Sequence, residues 1–315
     1  MSHVYVLVEH SEGHLAPVTG ELITAARPLG VVSAVVVGTP GTANALAEKL
    51  GQLGAEQVID AGAADYEQRV IIPEVDALHA LGAANPAPIV VAATPRGNEI
   101  AGRLGARLAS GVLANVSSIN ADGSAEHLLF GGSVDATAAA GGATPVYTVR
   151  PGVVAAVAQS ASGTVAPMEL PAATAKDVTV TSFTPAVKSD RPVLSEAKAV
   201  VAGGRGVGDA FEEVVAPLAD VLHGAIGATR DAVDEGWVPA SAQIGQTGET
   251  VNPELYIGLG ISGAIQHTSG MQTAGTIVVV NQDRDEPFFS IADLGVVGDV
   301  HEIAPALVKE LESRK

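Results

Sequence analysis

Short apolar runs alternate with amphipathic stretches over the first hundred residues. The continuous run Val31–Val37 is typical of a strand buried on both faces, whereas Gly97–Leu108 carries its large apolar side chains on one helical face. The pattern predicts strands at 3–8, 31–37, 57–59 and 88–92, and helices at 17–27, 41–50, 71–81 and 97–108. This β-α-β-α order is typical of a parallel sheet with helices on both sides.

Beyond these elements the pattern is less regular. Apolar segments at 112–119, 128–131 and 146–149 predict extra strands, which we expect to be antiparallel. Prolines recur among small residues between about 150 and 192, around one strand-like alternation at 177–183. We place a domain boundary near residue 187, because a second β-α series begins at Ala199. The expected fold is therefore two α/β domains, residues 1–186 with a mostly parallel sheet and extra strands, and residues 187–315 doubly wound.

The composition limits the class of protein. Of 315 residues 47% are hydrophobic but only 3% are aromatic, which suits a core of small aliphatic side chains in layered α/β packing. The formal net charge of −18 argues against nonspecific nucleic-acid binding, which needs basic surface. With no cysteine, disulfides, thiolate zinc sites and cysteine-ligated clusters are excluded. The scattered histidines lack metal-ligand spacing, so we expect no metal site.

No targeting or membrane signal is evident. The segment Met1–Val8 has no basic region and runs directly into a strand pattern, so we expect no signal peptide. No apolar stretch approaches the length that spans a bilayer. We therefore expect a cytoplasmic protein that is not embedded in a membrane.

The most informative segment is the glycine-rich stretch Gly258–His267, which follows the apolar run Leu255–Ile257. This order predicts a buried strand, then a turn in which a phosphate can approach the backbone, then a helix with Ser262 as its N-cap. His267 is expected about one and a half turns into that helix. The segment lacks the full G-x-G-x-x-G spacing, so a tight structural turn remains an alternative.

Similar short polar or glycine-rich loops follow other predicted strands in the second half of the chain. They are the loops Gly227–Gly236 and Ile244–Gly248, Asn281 after the apolar run 276–280, and Asp299 after Val296–Val297. Ligands of open α/β sheets bind at the carboxyl ends of the strands. The repeated pattern therefore indicates a ligand site at one edge of the second sheet.

Together these motifs resemble the α subunit of electron transfer flavoprotein, a family in which this subunit carries a flavin and works with a β subunit. In the C-terminal part, the resemblance lies in segments 203–206, 227–230, 244–248, 261–267 and 281–283, in the family's order and approximate spacing. Segments 8–10, 21–27 and 93–97 add weaker N-terminal matches, so the resemblance spans essentially the whole chain.

The resemblance implies that the C-terminal domain binds FAD. The residues it assigns to the cofactor are Arg205, Thr229, Arg230, Ile244, Gly245, Gln246, Thr247, Ser262, Gly263, Ala264, Ile265, Gln266, His267, Asn281, Asp299 and Val300. Among them, Ile244–Thr247 correspond to the loop beside the isoalloxazine ring and Ser262–His267 to the pyrophosphate and ring segment. Asn281, Asp299 and Val300 correspond to the adenosine half. Gln282 departs from the family, many members of which have a lysine there.

Several of these residues also have simpler interpretations. Arg230 either faces the flavin, stabilising negative charge on the reduced ring, or pairs with Asp234 one helical turn away. We expect His267 to hydrogen-bond the pyrimidine edge of the flavin, and Thr247 to place its hydroxyl near flavin N5 rather than only to stabilise a turn.

Two N-terminal features are assigned no catalytic role. Glu9, His10, Glu12 and His14 are interpreted as a polar loop at a strand end rather than as an acid/base cluster. Arg96, at a predicted helix start, is also not expected to be catalytic.

The sequence therefore predicts an FAD-bearing electron carrier with no substrate turnover of its own. As the resemblance implies, it forms a heterodimer with a β subunit, accepts electrons from flavin dehydrogenases such as those acting on acyl-CoA thioesters, and passes them towards a quinone-reducing acceptor. The family's β subunit carries AMP, and none is expected on this chain. An NAD-dependent enzyme, a non-redox nucleotide-binding scaffold and a flavin-bifurcating variant remain alternatives.

Overall fold

The computed structural model describes residues 3–11, 13–130, 132–175, 177–184 and 190–314. The chain divides into two compact units, one comprising Met1–Leu129 with Asp135–Pro185 and the other Phe130–Val134 with Ala186–Lys315. The boundary expected near residue 187 lies outside the described residues, so its position stays a prediction.

Both units consist of short strands joined by helices and loops. The strands are β1 (His3–Leu7), β2 (His10–Ser11), β3 (His14–Leu15), β4 (Val31–Gly38), β5 (Gln57–Gly62), β6 (Ile89–Ala92), β7 (Val112–Val116), β8 (Ser118–Ile119), β9 (Ser124–Leu129), β10 (Val134–Ala139), β11 (Val146–Val149), β12 (Thr164–Pro167), β13 (Ala199–Gly203), β14 (Ala225–Ala228), β15 (Leu255–Leu259), β16 (Thr276–Asn281) and β17 (Leu294–Val297). The α-helices are α1 (Val18–Ala26), α2 (Thr42–Leu53), α3 (Ile72–Ala84), α4 (Pro95–Leu108), α5 (Ala216–Val221), α6 (Arg230–Asp234), α7 (Ile265–Thr268) and α8 (Val300–Ser313). Two α/β units, as the sequence predicts, are confirmed.

The main sheet of the first unit has seven strands in the order β12-β5-β4-β1-β6-β11-β7. Every pairing in it is parallel, for example Val4 beside Val32 and Val146 beside Ile89. Successive side chains of a strand face opposite sides. Val4 and Val6 accordingly lie in one hydrophobic cluster with residues of α1 and α2, and the neighbouring Tyr5 in the other with residues of α3 and α4.

Two details of the first unit differ from the sequence predictions, and one prediction lies partly outside the described residues. The segments 112–116 and 146–149 extend the parallel sheet, so their expected antiparallel arrangement is wrong. Antiparallel pairing occurs instead between β8 and β9, in the small sheet of β8, β9 and β10, and between the short strands β2 and β3. Gly131, the end of the predicted strand 128–131, lies outside the described residues. The structure also has β12, which the proline-rich pattern did not reveal.

The alternation at 177–183 forms no strand in the described residues. Thr179 makes a single bridge with Arg69, whose guanidinium is 2.7 Å from Asp177 Oδ2. An ion pair therefore holds the start of this segment, while backbone pairing is limited to that one bridge.

The second unit has a five-stranded parallel sheet in the order β14-β13-β15-β16-β17. Helices α5 and α8 cover one face, where Leu218 and Ala304 share a buried cluster with Val201. On the other face Tyr256 and Phe288 are fully buried in a second cluster, with Met271. This second face lies under the loops and short helices that form the candidate site.

Candidate functional site

The strand order of the second sheet creates a crevice at its carboxyl edge. The chain proceeds from β13 to β14 on one side and then crosses to β15 on the other side, so connections leave the ends of β13 and β15 in opposite directions. Arg205 follows β13, Thr229 follows β14, Ser262 follows β15 and Asn281 ends β16. The topology therefore brings the residues selected from the sequence to the edge where open α/β sheets bind ligands.

A cavity of about 310 Å³ lies at this edge. The sequence-selected residues that line it are Thr229, Arg230, Ile244, Gln246, Thr247, Ser262, Ala264, Gln266 and His267. The selected residues outside this lining are Arg205, Gly245, Gly263, Ile265, Asn281, Asp299 and Val300. Asp231, Gln243 and Ile261 also line the cavity but were not assigned to the cofactor, although Asp231 and Ile261 lie within segments that the sequence singled out and Gln243 directly precedes Ile244–Gly248. Position within or directly beside a motif is the signal that could have found them.

The turn after β15 differs from its prediction. The helix begins only at Ile265, with Ala264 and not Ser262 as N-cap, and ends at Thr268. Gly263 has a φ of +86°, and the Ser262 carbonyl accepts a hydrogen bond of 3.1 Å from Phe288 N. Because a left-handed residue cannot be part of a right-handed helix, helix formation starts beyond it. His267 is thus the third residue of α7, not one and a half turns inside it.

The His267 ring is buried, with 5% of the residue exposed, and both ring nitrogens have protein partners. Nε2 is 2.6 Å from the Tyr256 hydroxyl, and Nδ1 is 3.0 Å from the Ile244 carbonyl oxygen. Burial lowers the pKa of His267 to about 4, which the hydrogen bond to Ile244 only partly opposes. The ring is therefore neutral at physiological pH, and in this structure its nitrogens face the protein rather than the cavity.

Two loops approach each other closely to form the cavity walls. Gln246 N donates to the Gln266 carbonyl oxygen at 2.8 Å, which connects the 244–247 loop to the 262–267 segment. Gly245 has a φ of +139°, and a Cβ there would lie 2.2 Å from Gln266 O. Only glycine fits this position, so the spacing of the two walls depends on it.

Two arginines lie at the opening of the crevice, and each has an acidic partner on α6. Arg230 Nε is 3.2 Å from Asp234 Oδ2, and Arg205 Nε is 3.8 Å from Asp231 Oδ2. All four side chains are more than half exposed. Exposed pairs of this kind contribute little to stability, so the cations remain available to an anionic ligand.

Two threonine hydroxyls that line the cavity can each make a further hydrogen bond. Gln243 Nε2 donates to Thr247 Oγ1 at 2.9 Å, which leaves the hydroxyl proton of Thr247 as a possible donor. Thr229 Oγ1 is buried and has no partner among the described protein atoms. A ligand with hydrogen-bond acceptors and negative charge therefore fits this set of groups.

Asn281 and Asp299 have structural contacts of their own. Asn281 Nδ2 donates to the Ile261 carbonyl at 3.0 Å, which stabilises the turn after β15. Asp299 is the N-cap of α8, and its Oδ1 accepts from both His301 N and His301 Nδ1 at 2.9 Å. This contact with Asp299 raises the pKa of His301. Val300 is buried as the first residue of α8.

The acidic residues near the N-terminus belong to a different cluster, in the first unit. Glu9 lines a cavity of about 120 Å³ with His10, Tyr66, Glu74 and Arg96. Arg96 and Tyr66 both donate to Glu74 Oε1, and the Glu74 side chain is only 4% exposed. Burial raises the pKa of Glu9, and the positive charge of Arg96 opposes the shift. Glu12, part of the predicted loop, lies outside the described residues.

Two absences concern only the described part of the chain. No helix within it is both long and apolar enough to cross a membrane. No group of three or more histidine, cysteine, aspartate or glutamate side chains there is arranged to hold a metal ion.

Comparison with known proteins covers both units. Residues 4–185 match the family model "Electron transfer flavoprotein domain", and residues 193–272 match "Electron transfer flavoprotein FAD-binding domain". The chain is 49% identical over 317 aligned positions to "Electron transfer flavoprotein subunit alpha" of Mycobacterium leprae (strain TN), with 100% of each chain covered. The protein of the same name from Paracoccus denitrificans is 36% identical over 314 positions, with 98% of this chain and 99% of that protein covered.

Proposed function

Since this chain belongs to the electron transfer flavoprotein α-subunit family, we propose that it is an electron carrier which holds FAD on its C-terminal unit and works as a heterodimer with a β subunit. The C-terminal unit contains the family's FAD-binding domain. The single observation that carries the proposal is that this domain's cavity lies at the carboxyl edge of its sheet, lined by residues of the expected flavin motifs.

The residues present fit an FAD. Buried Thr229 Oγ1 lacks a protein partner, Thr247 has a hydroxyl proton to donate, and Arg230 supplies positive charge at the same cavity. When bound, the isoalloxazine ring supplies the redox chemistry, and the protein supplies binding, orientation and electrostatics.

We propose distinct roles for several residues in and around the cavity. Arg230 favours the more negative, reduced form of the cofactor by charge, and Thr247 donates a hydrogen bond near the reactive edge. The walls around Gly245 and Gln266 exclude water and fix the separation of the two loops. Arg205 extends the positive charge along the crevice towards the phosphates. Asn281, Asp299 and Val300 form the adenosine side, where the Asp299 carboxylate accepts hydrogen bonds from ribose hydroxyls.

We further propose that flavin dehydrogenases, such as those acting on acyl-CoA thioesters, supply the electrons and that a quinone-reducing protein accepts them. Family membership supports this direction of transfer. In this scheme the chain turns over no substrate of its own, and no residue serves as nucleophile or proton-abstracting base.

Co-expression with a β subunit tests the proposal directly. The purified heterodimer is expected to be yellow, to release FAD on denaturation, and to be bleached by substrate plus a catalytic amount of an acyl-CoA dehydrogenase. A colourless heterodimer that binds NAD instead would overturn the carrier function. The number of FAD molecules released per heterodimer separates a simple carrier, with one, from a bifurcating variant, which needs a second flavin in the partner.

A further inference from the structure

Tyr256 lies beneath the cofactor cavity and is not among the residues that line it. It is the second residue of β15, the central strand of the five-stranded sheet, and it is fully buried. Its ring packs against the rings of His267 and Phe288, with centroids 6.2 Å away in each case. Its hydroxyl has a hydrogen-bond partner in Nε2 of His267, at 2.6 Å.

These contacts determine which nitrogen of His267 carries the proton. The Ile244 carbonyl oxygen can only accept, so Nδ1 of His267 is the donor in their 3.0 Å hydrogen bond. In a neutral imidazole the other nitrogen is then an acceptor, and the Tyr256 hydroxyl donates to it. A buried phenol that keeps its proton favours this arrangement, and burial holds the pKa of Tyr256 well above its usual value.

The same chain of hydrogen bonds fixes the geometry of the cavity. The Tyr256 hydroxyl fixes the His267 ring, and the ring fixes the Ile244 carbonyl at the start of the opposite wall. On the other side of Gly245, the hydrogen bond from Gln246 N to the Gln266 carbonyl oxygen joins the same two walls a second time. Strand β15 thus determines the separation of the 244–247 and 262–267 walls through a residue that is itself outside the cavity.

We propose that Tyr256 is a positioning residue of the cofactor site, which keeps His267 as the neutral Nδ1–H tautomer and thereby holds the two walls at their spacing. This inference rests on the proposed FAD function for its binding measurements, but its tautomer test does not. With His267 neutral, the charged side chains that line the cavity are Arg230 and Asp231 on α6. The aromatic groups against His267 are Tyr256 and Phe288.

The test compares Tyr256→Phe with the native chain, each co-expressed with the β subunit. The substitution removes one hydroxyl and leaves the ring packing in place. At pH 7 the dissociation constant for FAD is expected to rise about fivefold, the effect of losing one neutral hydrogen bond. Tyr147→Phe is the matched control, because Tyr147 is also buried and donates one hydrogen bond, to Gly123 O at 2.7 Å in the first unit.

A pH series separates positioning from a general loss of stability. Because the Tyr256 hydroxyl donates to the neutral ring, its removal is expected to raise the pKa of His267 from about 4, while burial continues to hold that pKa below the ordinary value. The FAD dissociation constant of the native protein is expected to be constant between about pH 5.5 and 8, and as the pH is lowered that of the variant is expected to begin changing at a higher pH than that of the native protein. A double variant with His267→Gln should lose this pH dependence.

Nitrogen-15 NMR of histidine-labelled protein reads the tautomer without any flavin. The expected spectrum shows a protonated Nδ1 and an unprotonated Nε2 for His267 at pH 7. A protonated Nε2, or an FAD affinity in Tyr256→Phe equal to that of the native protein, overturns the proposal. If the native heterodimer binds no flavin but shows the expected tautomer, the proposed function fails while the assignment of Tyr256 to the ring geometry stands.

Discussion

Arg230 and Asp234 lie one helical turn apart on α6, with Arg230 Nε 3.2 Å from Asp234 Oδ2. The same Arg230 side chain both forms this ion pair and lines the cavity. The sequence could not decide between these two interpretations, and the geometry accommodates both. Since both side chains are about two-thirds exposed, the pair leaves most of the charge available to a ligand.

Replacement of Arg230 tests the electrostatic part of the function. Arg230→Ala is expected to lower the two-electron reduction potential of bound FAD by about 30 mV, which equals a tenfold loss of preference for the reduced form. Spectroelectrochemistry measures the potential. Asp234→Asn is the companion variant, since it keeps the arginine and removes its partner, and it should raise the potential. An unchanged potential in Arg230→Ala would contradict the role.

Thr247 can be tested with two substitutions of similar size. Thr247→Val removes the hydroxyl, and FAD affinity should fall about fivefold because one hydrogen bond is lost. Thr247→Ser retains the hydroxyl and should bind FAD nearly as the native protein does. Isothermal titration with FAD gives both values. Unchanged FAD affinity in Thr247→Val would show that the hydroxyl of Thr247 does not contribute to binding.

Gly245 offers a test of the wall spacing. Gly245→Ala places a Cβ 2.2 Å from Gln266 O, so the loops must separate and bound FAD should be lost on gel filtration. Gly208→Ala is the control, because Gly208 also has a positive φ, +67°, but no atom within 4 Å of the added Cβ. The control should keep its flavin. Equal flavin loss in both variants would attribute the effect to backbone strain alone.

The Arg96–Glu74 pair in the first unit predicts a stability effect without a flavin effect. Arg96→Ala leaves the buried Glu74 carboxylate without its cation, and the free energy of unfolding should fall by about 2–3 kcal/mol, somewhat less than for a fully buried pair, because Arg96 is 44% exposed. Arg103→Ala, on the same helix, breaks an exposed pair with Glu99 and should cost less than about 0.5 kcal/mol. Urea unfolding measures both, and the FAD content should match that of the native protein.

His301 makes the stability of the second unit depend on pH. Its pKa is raised in the folded chain by Asp299, so its stabilising contribution is complete below the unfolded pKa of about 6.5 and is lost as pH rises through the raised folded value. Urea midpoints of the native protein and His301→Gln should therefore differ most near pH 6 and converge towards pH 9. A difference that grows with pH would contradict this sign.

Much of the fold was predictable because its signals are local. The apolar run Val31–Val37 and the amphipathic segment Gly97–Leu108 correspond closely to β4 and α4. Strand β12 was not predictable from local pattern, since Thr164–Pro167 contains a proline. It is a strand because it pairs with β5, about a hundred residues earlier in the chain. The parallel direction of β7 and β11 likewise depends on their neighbours in the sheet.

The candidate site was predictable as a set of loops but not in its internal contacts. The motifs gave the segments 229–230, 244–247 and 262–267, which the structure brings to one cavity. The orientation of the His267 ring was not predictable, because it depends on a hydrogen bond with the Tyr256 hydroxyl. In the sequence Tyr256 has the pattern of an ordinary core residue. Ser262 failed as an N-cap for a similar reason, as the left-handed Gly263 delays the helix.

The hydrogen bonds that join Tyr256, His267 and Ile244 are made by the polypeptide alone. We therefore expect these contacts of the crevice's inner lining to form as the second unit folds. Loading of FAD is then expected to follow folding of this unit. Stripped protein should accordingly be rechargeable simply by adding the dinucleotide, with no need to unfold and refold it.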